Sequence, residues 1–407
     1  MKILIATTYM YNEKWQEFTK NKTGFGIMVK NIMEQLSQKE DVKVITHVLT
    51  NGREGKILPH SKKSVITKAR FKDWASGIKG MFKYKQSLKG RVQYLYYGLN
   101  KGFVRNTIKS ENPDIVHIHG INYATKTYID ICKELKQPYV VTLHGLIGID
   151  SLVNANQWDR QLEKEFLIEA NKKNIGVTVV STGMKKRIEA NYIKGKSDNI
   201  YPVLNGIDIS HPAKINKREI ITSLDHILEK IMKAKDNGKK ICVCVGNITD
   251  NKNQMGVVKS FENVTVDSIL VLLGRECDGG KVRKYVEDKK LNDRVILAGF
   301  CTEMNRIWEV ADLNIFFSKN DGFGLSVVEG YVWGVPAIMY DDLDATDDVY
   351  LKCGMRKIHR IGAYEDGKEI EEALNTDWNK EEIAESTDKF SLDIMAHNYI
   401  EVLKKYC

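Results

Sequence analysis

Short, continuous apolar runs punctuate the chain at 2–6, 42–49, 114–118, 139–143, 177–181 and 200–204, and again at 241–245, 269–273, 294–298, 313–317 and 336–340. Between most of them lie segments whose apolar residues recur every three to four positions, for example 26–38, 122–136, 156–174, 252–262, 279–290 and 325–334. Strand-length runs without polar alternation predict parallel strands buried on both faces, and their alternation with helices predicts an α/β architecture. Pro113, Pro138 and Pro336 stand just ahead of or at the start of apolar runs, where a proline ends a loop without removing a ladder hydrogen bond. The pattern predicts two doubly wound domains. Their boundary is expected near Asn205-Gly206-Ile207-Asp208, where a turn dipeptide follows the sixth run. Tandem α/β domains place a ligand cleft between them, at the carboxyl ends of the strands.

The composition of the 407 residues, 43% hydrophobic and 28% charged, is that of an ordinary globular chain and excludes disordered or collagen-like character. No apolar run approaches the roughly 18 residues that span a bilayer, and the longest, such as 269–273, are strand-sized. Ile3-Leu4-Ile5-Ala6 is too short for a secretory apolar region, so neither spanning nor export is expected. The seven cysteines are scattered without a C-x-x-C pair. Neither a disulfide framework nor a metal site is expected, and the compartment is read as the reducing cytoplasm. Cys242 and Cys244, two apart in a strand, would share a face as small hydrophobes.

Charge changes the picture in one place. The chain is +9 overall, yet Lys56 to Lys109 alone holds fourteen Lys/Arg against one acid, Asp73. The same stretch carries Phe71, Trp74, Ile78, Met81, Phe82 and Leu88 near helical spacing, with Arg70, Lys79 and Lys83 among them. A basic helix with an aromatic face reads as a membrane-surface element, each Lys or Arg contributing about 1 kcal/mol near an anionic leaflet. The alternative is a helix packed on its own domain behind a solvated lysine face. No nucleic-acid recognition module is legible, so that polyanion is not expected as a partner.

The densest chemical signal is Ser318-Lys319-Asn320-Asp321-Gly322-Phe323-Gly324-Leu325-Ser326-Val327-Val328-Glu329, directly after the run ending at Phe317. Gly322 and Gly324 let backbone N–H groups approach a ligand, and a helix starting near Leu325 offers unpaired donors and a positive dipole end, a natural seat for phosphate. Asp321 and Glu329 can accept hydrogen bonds from sugar or ribose hydroxyls. Lys252, after the first strand of the second half, is the best cation for a departing diphosphate.

This segment resembles the E-x7-E signature of the GT-B retaining glycosyltransferases of family 4 type, with Asp321 in place of the first Glu. Pro113 to Gly120 resembles the family's P-D-[IV]-[IV]-H-x-H run, Val141 to Gly145 its T-x-H-G segment, and Val180-Ser181 the strand end before its next helix. Asn205 to Asp208 is similar to its N-G-[IV]-D hinge, Gly246 to Asn253 to G-R-L-x-x-x-K-G, and Arg294 to Phe300 to R-V-x-x-x-G-F. Phe390 to Tyr399 is similar to the family's last helix, which crosses back to the first domain.

The resemblance implies a GT-B fold of two Rossmann-like doubly wound domains: 1–205 on the acceptor side, 206–388 binding the nucleotide sugar, and 389–407 a returning helix. It implies retaining transfer from a nucleotide-sugar donor, a substrate and not a cofactor, with no metal. Glu329 would hold the ribose hydroxyls, and Asp321 with Gly322 and Phe323 the donor sugar. Lys252 with the amides of Gly324 and Leu325 would hold the diphosphate, faced by the loop Gly24-Phe25-Gly26, while Gly299 and Phe300 would border the base. His119 would lie beside the transferred sugar, with His144 a weaker candidate, and His117 is read as facing the opposite side of its strand as a core residue. Asn247 stands where the family has Arg, with Arg275 a possible substitute cation. The expected activity is hexosyl transfer from a UDP-sugar to a lipid-linked glycan, by an enzyme peripheral on the inner face of the cell membrane. The alternatives are a protein or soluble acceptor, or a non-catalytic partner subunit.

Overall fold

Lys2–Thr7 has no polar alternation, and it forms strand β1 with its last five residues buried. The computed structural model describes residues 1–12, 23–48, 57–58, 69–83, 88–153, 155–210, 223–301 and 303–407. The chain divides into two units, residues 1–206 with 392–407, and residues 207–391.

In the first unit, helix α1 (Gly24–Ser37) is opened by Thr23, whose side-chain oxygen accepts the Gly26 amide at 3.1 Å, and it buries Met28, Val29, Ile32 and Leu36 at helical spacing. There follow β2 (Lys43–Val48), β3 (Ile57–Leu58), α2 (Phe71–Lys83), α3 (Leu88–Glu111), β4 (Ile115–His119), α4 (Lys126–Leu135), β5 (Tyr139–Leu143), α5 (Gln157–Lys172), β6 (Gly176–Val179), α6 (Thr182–Ile188) and β7 (Ile200–Pro202). The strands form one parallel sheet in the order β3-β2-β1-β4-β5-β6-β7.

The second unit runs α7 (Ser223–Asp236), β8 (Lys240–Val245), α8 (Gln254–Phe261), β9 (Ser268–Leu273), α9 (Lys281–Asp288), β10 (Val295–Gly299), α10 (Met304–Trp308), β11 (Leu313–Phe316), α11 (Leu325–Val332), β12 (Ala337–Tyr340), α12 (Thr346–Val349), β13 (Met355–Ile358), α13 (Ala363–Asn375) and α14 (Lys380–Glu385). Its sheet is also parallel, in the order β10-β9-β8-β11-β12-β13. Strand order reverses beside β8, so the loops after β8 and β11 leave the same edge at a topological switch point. The last helix, α15 (Leu392–Tyr406), belongs to the first unit, where Met395, Ala396, Tyr399, Val402 and Leu403 join Ile3, Ile5, Val29 and Ile32 in one apolar cluster.

The basic segment forms a helical hairpin of α2 and α3. Leu88 therefore opens the second helix and does not extend the stripe of the first. The two backbones touch: a Cβ on Gly98 would stand 2.3 Å from the Gly77 nitrogen and 2.6 Å from the Asp73 carbonyl oxygen, so no side chain fits at position 98. Arg105, buried, grips both Asp73 oxygens (3.0 and 2.9 Å) and Glu134 of α4 (2.9 and 2.8 Å), and Arg70 and Lys72 also reach Glu134 at 2.8 Å. These pairs fix the inner side of α2 and neutralise part of the local positive charge. Its outer side presents Phe71 (89% exposed), Trp74, Ile78 and Phe82 (72%), and on α3 Leu88 (80%) and Val92 are exposed as well. Arg70, Lys79 and Arg91 are exposed beside them, whereas Met81 is half-buried. Residues 56, 59–68 and 84–87 of the basic segment, and the side chains of Lys83 and Lys89, lie outside the described residues.

Candidate functional site

In the second unit, β8 and β9 end in two glycines packed against each other. Gly274 (φ +151°) lies so close to Gly246 (φ +143°) that a Cβ on it would stand 2.1 Å from the Gly246 carbonyl oxygen. This approach aligns the loop 246–253 with its neighbours. Gln254 holds the loop from inside, its side-chain amide donating to the carbonyls of Gly246 (3.0 Å) and Asn247 (3.1 Å) while its oxygen accepts the Thr249 amide (3.1 Å). Asn251 donates to the Asn320 carbonyl (3.0 Å), Asn253 to that of Phe317 (3.1 Å), and the Lys319 amide to that of Asn251 (2.7 Å). The loop after β8 and the loop after β11 are thereby stitched into one surface. Residues 69 positions apart meet on it, where Lys252 Nζ is paired with the Asp321 carboxylate.

Asp321 does two jobs. One oxygen takes Lys252, and the other accepts the amides of Phe323 (3.0 Å) and Gly324 (2.7 Å). Burial is the largest influence on its acidity and opposes ionisation, but the charge and hydrogen bond of Lys252 and the two amides outweigh it and hold the carboxyl below the ordinary aspartate range. The resemblance assigns the backbone of Gly322 and Phe323 to the sugar and the amides of Gly324 and Leu325 to the diphosphate; the structure adds a partner inside the loop for two of these amides, those of Phe323 and Gly324. In the structure both are donated to Asp321. Gly324, left-handed at φ +79°, caps α11, its carbonyl accepting the Val327 amide at 2.9 Å, and the first two amides of that helix, of Leu325 and Ser326, have no intrahelical carbonyl to bond. Gly322 turns the chain between Asp321 and the buried Phe323, whose ring meets Phe390 edge-on at 6.3 Å. Glu329 sits half-buried in the second turn of α11.

A second cluster lies on the same sheet edge. The Asn247 side-chain oxygen accepts the Arg275 amide at 3.2 Å, so Asn247 binds the neighbouring strand end. The exposed Arg275 guanidinium lies 4.7 Å from the centre of the Phe300 ring, beside Gly299 (φ +71°), whose carbonyl accepts the Gly274 amide at 2.8 Å. Sequence reasoning missed Arg360. Beyond β13, it stacks 4.0 Å over Tyr340, pairs with Asp342 at 2.6 Å and donates to the carbonyl of Ser318 at 2.7 Å, buttressing the loop that carries Asp321. No local pattern marks it, since its strand was not recognised.

In the first unit, His119 ends β4 and His144 follows β5, and His119 Nδ1 lies 3.1 Å from His144 Nε2. His117 does not face away from His119. Residues two apart on a strand share a face, and the two rings stand 4.2 Å apart; His117 is buried and bonded to Thr142 at 2.6 Å, as a core residue is. Burial first, then neighbouring imidazoles, depress the basicity of the set: His117 to about 3, His119 well below the ordinary imidazole value, and His144 by burial to about 4. Gly24-Phe25-Gly26 is the first turn of α1 and not an open loop, and its Gly26 amide is already donated to Thr23. Phe25 packs edge-on against His144 at 4.8 Å.

Among the described residues no helix is long and apolar enough to cross a membrane. Residues 24–211 match the family Glycosyltransferase Family 4, and residues 228–349 match Glycosyl transferases group 1. The chain is 26% identical over 183 residues to the poly(glycerol-phosphate) alpha-glucosyltransferase of Bacillus subtilis (strain 168), covering 44% of this chain and 27% of that protein. It is 26% identical over 238 residues to the N-acetyl-alpha-D-glucosaminyl L-malate synthase of Bacillus anthracis, covering 56% of each. The chain thus spans about a quarter of the length of one of these relatives and about half of the other. Anabaena Alr3699/HepE in complex with UDP shares its fold at TM-score 0.67 and 14% identity over 100% of both chains. With one family matched in each half and two parallel sheets in this arrangement, the chain belongs to the group 1 and family 4 glycosyltransferases of GT-B fold.

Proposed function

We propose that this protein is a retaining, metal-independent glycosyltransferase that moves a hexosyl unit from a UDP-sugar to a lipid-linked glycan of a bacterial surface polysaccharide. The observation that carries the reading is the pairing of Lys252 with Asp321 beside the amino end of α11. A departing nucleoside diphosphate gains negative charge, and a cation with preorganised amides at that point stabilises it without a metal. An arriving diphosphate competes with Asp321 for Lys252, and the displaced carboxylate turns to the sugar hydroxyls. Glu329 takes the ribose, and Arg275 supplies the second positive charge that Asn247 lacks. Support for the product and donor comes from relatives named as an alpha-glucosyltransferase of a glycerol-phosphate polymer and as a UDP complex. Donor hydrolysis by the purified full chain across a panel of nucleotide sugars tests the reading. Release of UDP from at least one sugar is expected, and total inactivity across the panel and its acceptors overturns it.

The outward apolar stripe of α2 and α3, with Lys79 and Arg91 beside it, supports attachment to an anionic bilayer from the cytoplasmic side. Phosphatidylglycerol-containing vesicles are expected to co-sediment the protein at low salt and release it at high salt. Phe71→Ser with Phe82→Ser is expected to weaken binding by more than about tenfold while leaving UDP affinity unchanged. The malate synthase relative favours a second reading, a soluble small acceptor. Failure of the wild-type protein to bind such vesicles selects it.

A further inference from the structure

Two buried ring nitrogens in the first unit have no hydrogen-bond partner although their rings are bonded to each other: His119 Nε2 and His144 Nδ1. An unsatisfied buried polar atom is destabilising; Nδ1 of the neighbouring His117 is also without a partner, but these two nitrogens are the outer ends of one bonded pair and share one explanation. The pair stands at the carboxyl edge of a parallel sheet, where such sheets bind ligands. Beside it the chain is cut back to Gly120 and Gly145, and a side chain at 145 would meet nothing within 4 Å.

We infer that His144 is a positioning residue for His119: the two neutral rings share one bridging proton, so His119 Nε2 and His144 Nδ1 always present one donor and one acceptor, and a sugar hydroxyl of the substrate bonds His119 Nε2. This rests on the proposed glycosyl transfer. Two neutral imidazoles carry two N–H protons among four nitrogens. One lies in the bridge, and the other sits on one outer nitrogen. If His119 donates in the bridge, its Nε2 is a lone pair; if His144 donates, His119 Nε2 carries the proton. His144 thus ties the tautomer of His119 to its own, as a second hydrogen-bonding group does for a functional histidine. A hydroxyl, both donor and acceptor, fits either state. The ring planes are held independently: His117, anchored on Thr142, lies 4.2 Å from His119, and Phe25 packs on His144.

The test uses the full chain labelled with 15N-histidine, in which ring nitrogen shifts report the tautomer directly. In the wild type at pH 7, His119 and His144 are expected to be neutral and to carry matching tautomers, both Nδ1–H or both Nε2–H. His144→Phe, which keeps a ring against Phe25, is expected to leave His119 a mixture of tautomers, and His144→Gln, whose amide reaches the Nε2 position, to restore one. With UDP-glucose or another donor that the wild type turns over, His144→Phe lowers kcat about 10- to 100-fold with donor KM within about twofold, and His144→Gln recovers most of it. Non-matching tautomers in the wild type, one ring Nδ1–H and the other Nε2–H, or full kcat in His144→Phe, would overturn the inference. Absence of any turnover by the wild type would overturn the proposed function instead, while the nitrogen shifts still decide the pairing. Should His144→Phe fail to fold, the wild-type shifts and His144→Gln decide alone.

Discussion

Lys252→Ala is expected to lower turnover of the nucleotide sugar by about 100- to 1000-fold and to weaken UDP binding, whereas Asp321→Asn lowers turnover but leaves UDP bound as tightly or more so. The opposite signs on UDP follow from the ion pair. In the resting structure the Lys252 ammonium is neutralised by Asp321, and binding a diphosphate exchanges one anion for another. Charge-assisted hydrogen bonds contribute roughly 1.5–3 kcal/mol each, and more charge reaches the leaving oxygens in the transition state than in the bound donor, so loss of the cation falls hardest on kcat. Asn at 321 removes the competing charge and still accepts the Phe323 and Gly324 amides through its side-chain oxygen, so the loop survives while the sugar contact weakens. Calorimetry with UDP and initial rates on both variants check this. Equal losses of UDP affinity in the two would show that the pair acts only as a structural strut.

Much of the architecture was readable because buried parallel strands need no polar positions. β9, with all six residues buried, and β5 are continuous apolar words flanked by loops. β13 escaped notice because it is an edge strand whose Arg356 and Lys357 reach out to Glu369 at 2.5 Å and Asp347 at 3.2 Å, so two charges interrupt it. α3 escaped for the opposite reason. Tyr94, Tyr97, Leu99, Phe103, Val104 and Ile108 are buried around a wide arc, which blurs helical periodicity, and Gly98, a helix breaker by propensity, is required by its contact with Gly77. In the site, sequence spacing marks Lys252, Asp321 and Glu329 as separate items of chemistry. That Lys252 and Asp321 neutralise each other, that Asn247 binds a backbone amide, and that Arg360 props the loop are consequences of folding two loops together, and no local pattern encodes them.

Mild acid is expected to destabilise the first unit well before the second. His117, His119 and His144 are held neutral in the fold, His117 to about pH 3 and His144 to about pH 4, whereas unfolded imidazoles protonate near pH 6.5. Below about pH 6.5 the unfolded state therefore binds more protons than the folded one, and stability falls as pH drops toward the folded values. Glu163 works the other way. Its buried carboxyl, raised to about 7 by burial despite accepting the amides of Ile147 (3.1 Å) and Gly148 (2.8 Å), gains stability on acidification, and Asp159, also raised by burial, does so in part. Three imidazole protons against the one of Glu163, with Asp159 shifted in the same direction as Glu163, leave a net slope of up to about 2.7 kcal/mol per pH unit between pH 6 and 5, large beside the roughly 5–15 kcal/mol of a typical domain. In the second unit the described histidines, His226 and His359, are exposed, and no buried histidine is present among its described residues. Pulse proteolysis at pH 7, 6 and 5, with fragments mapped to 1–206 or 207–391, separates the two, and His144→Gln should flatten the slope of the first unit by about one proton. Equal acid sensitivity of both units would mean that the three imidazoles are protonated in the fold, with their charges accommodated.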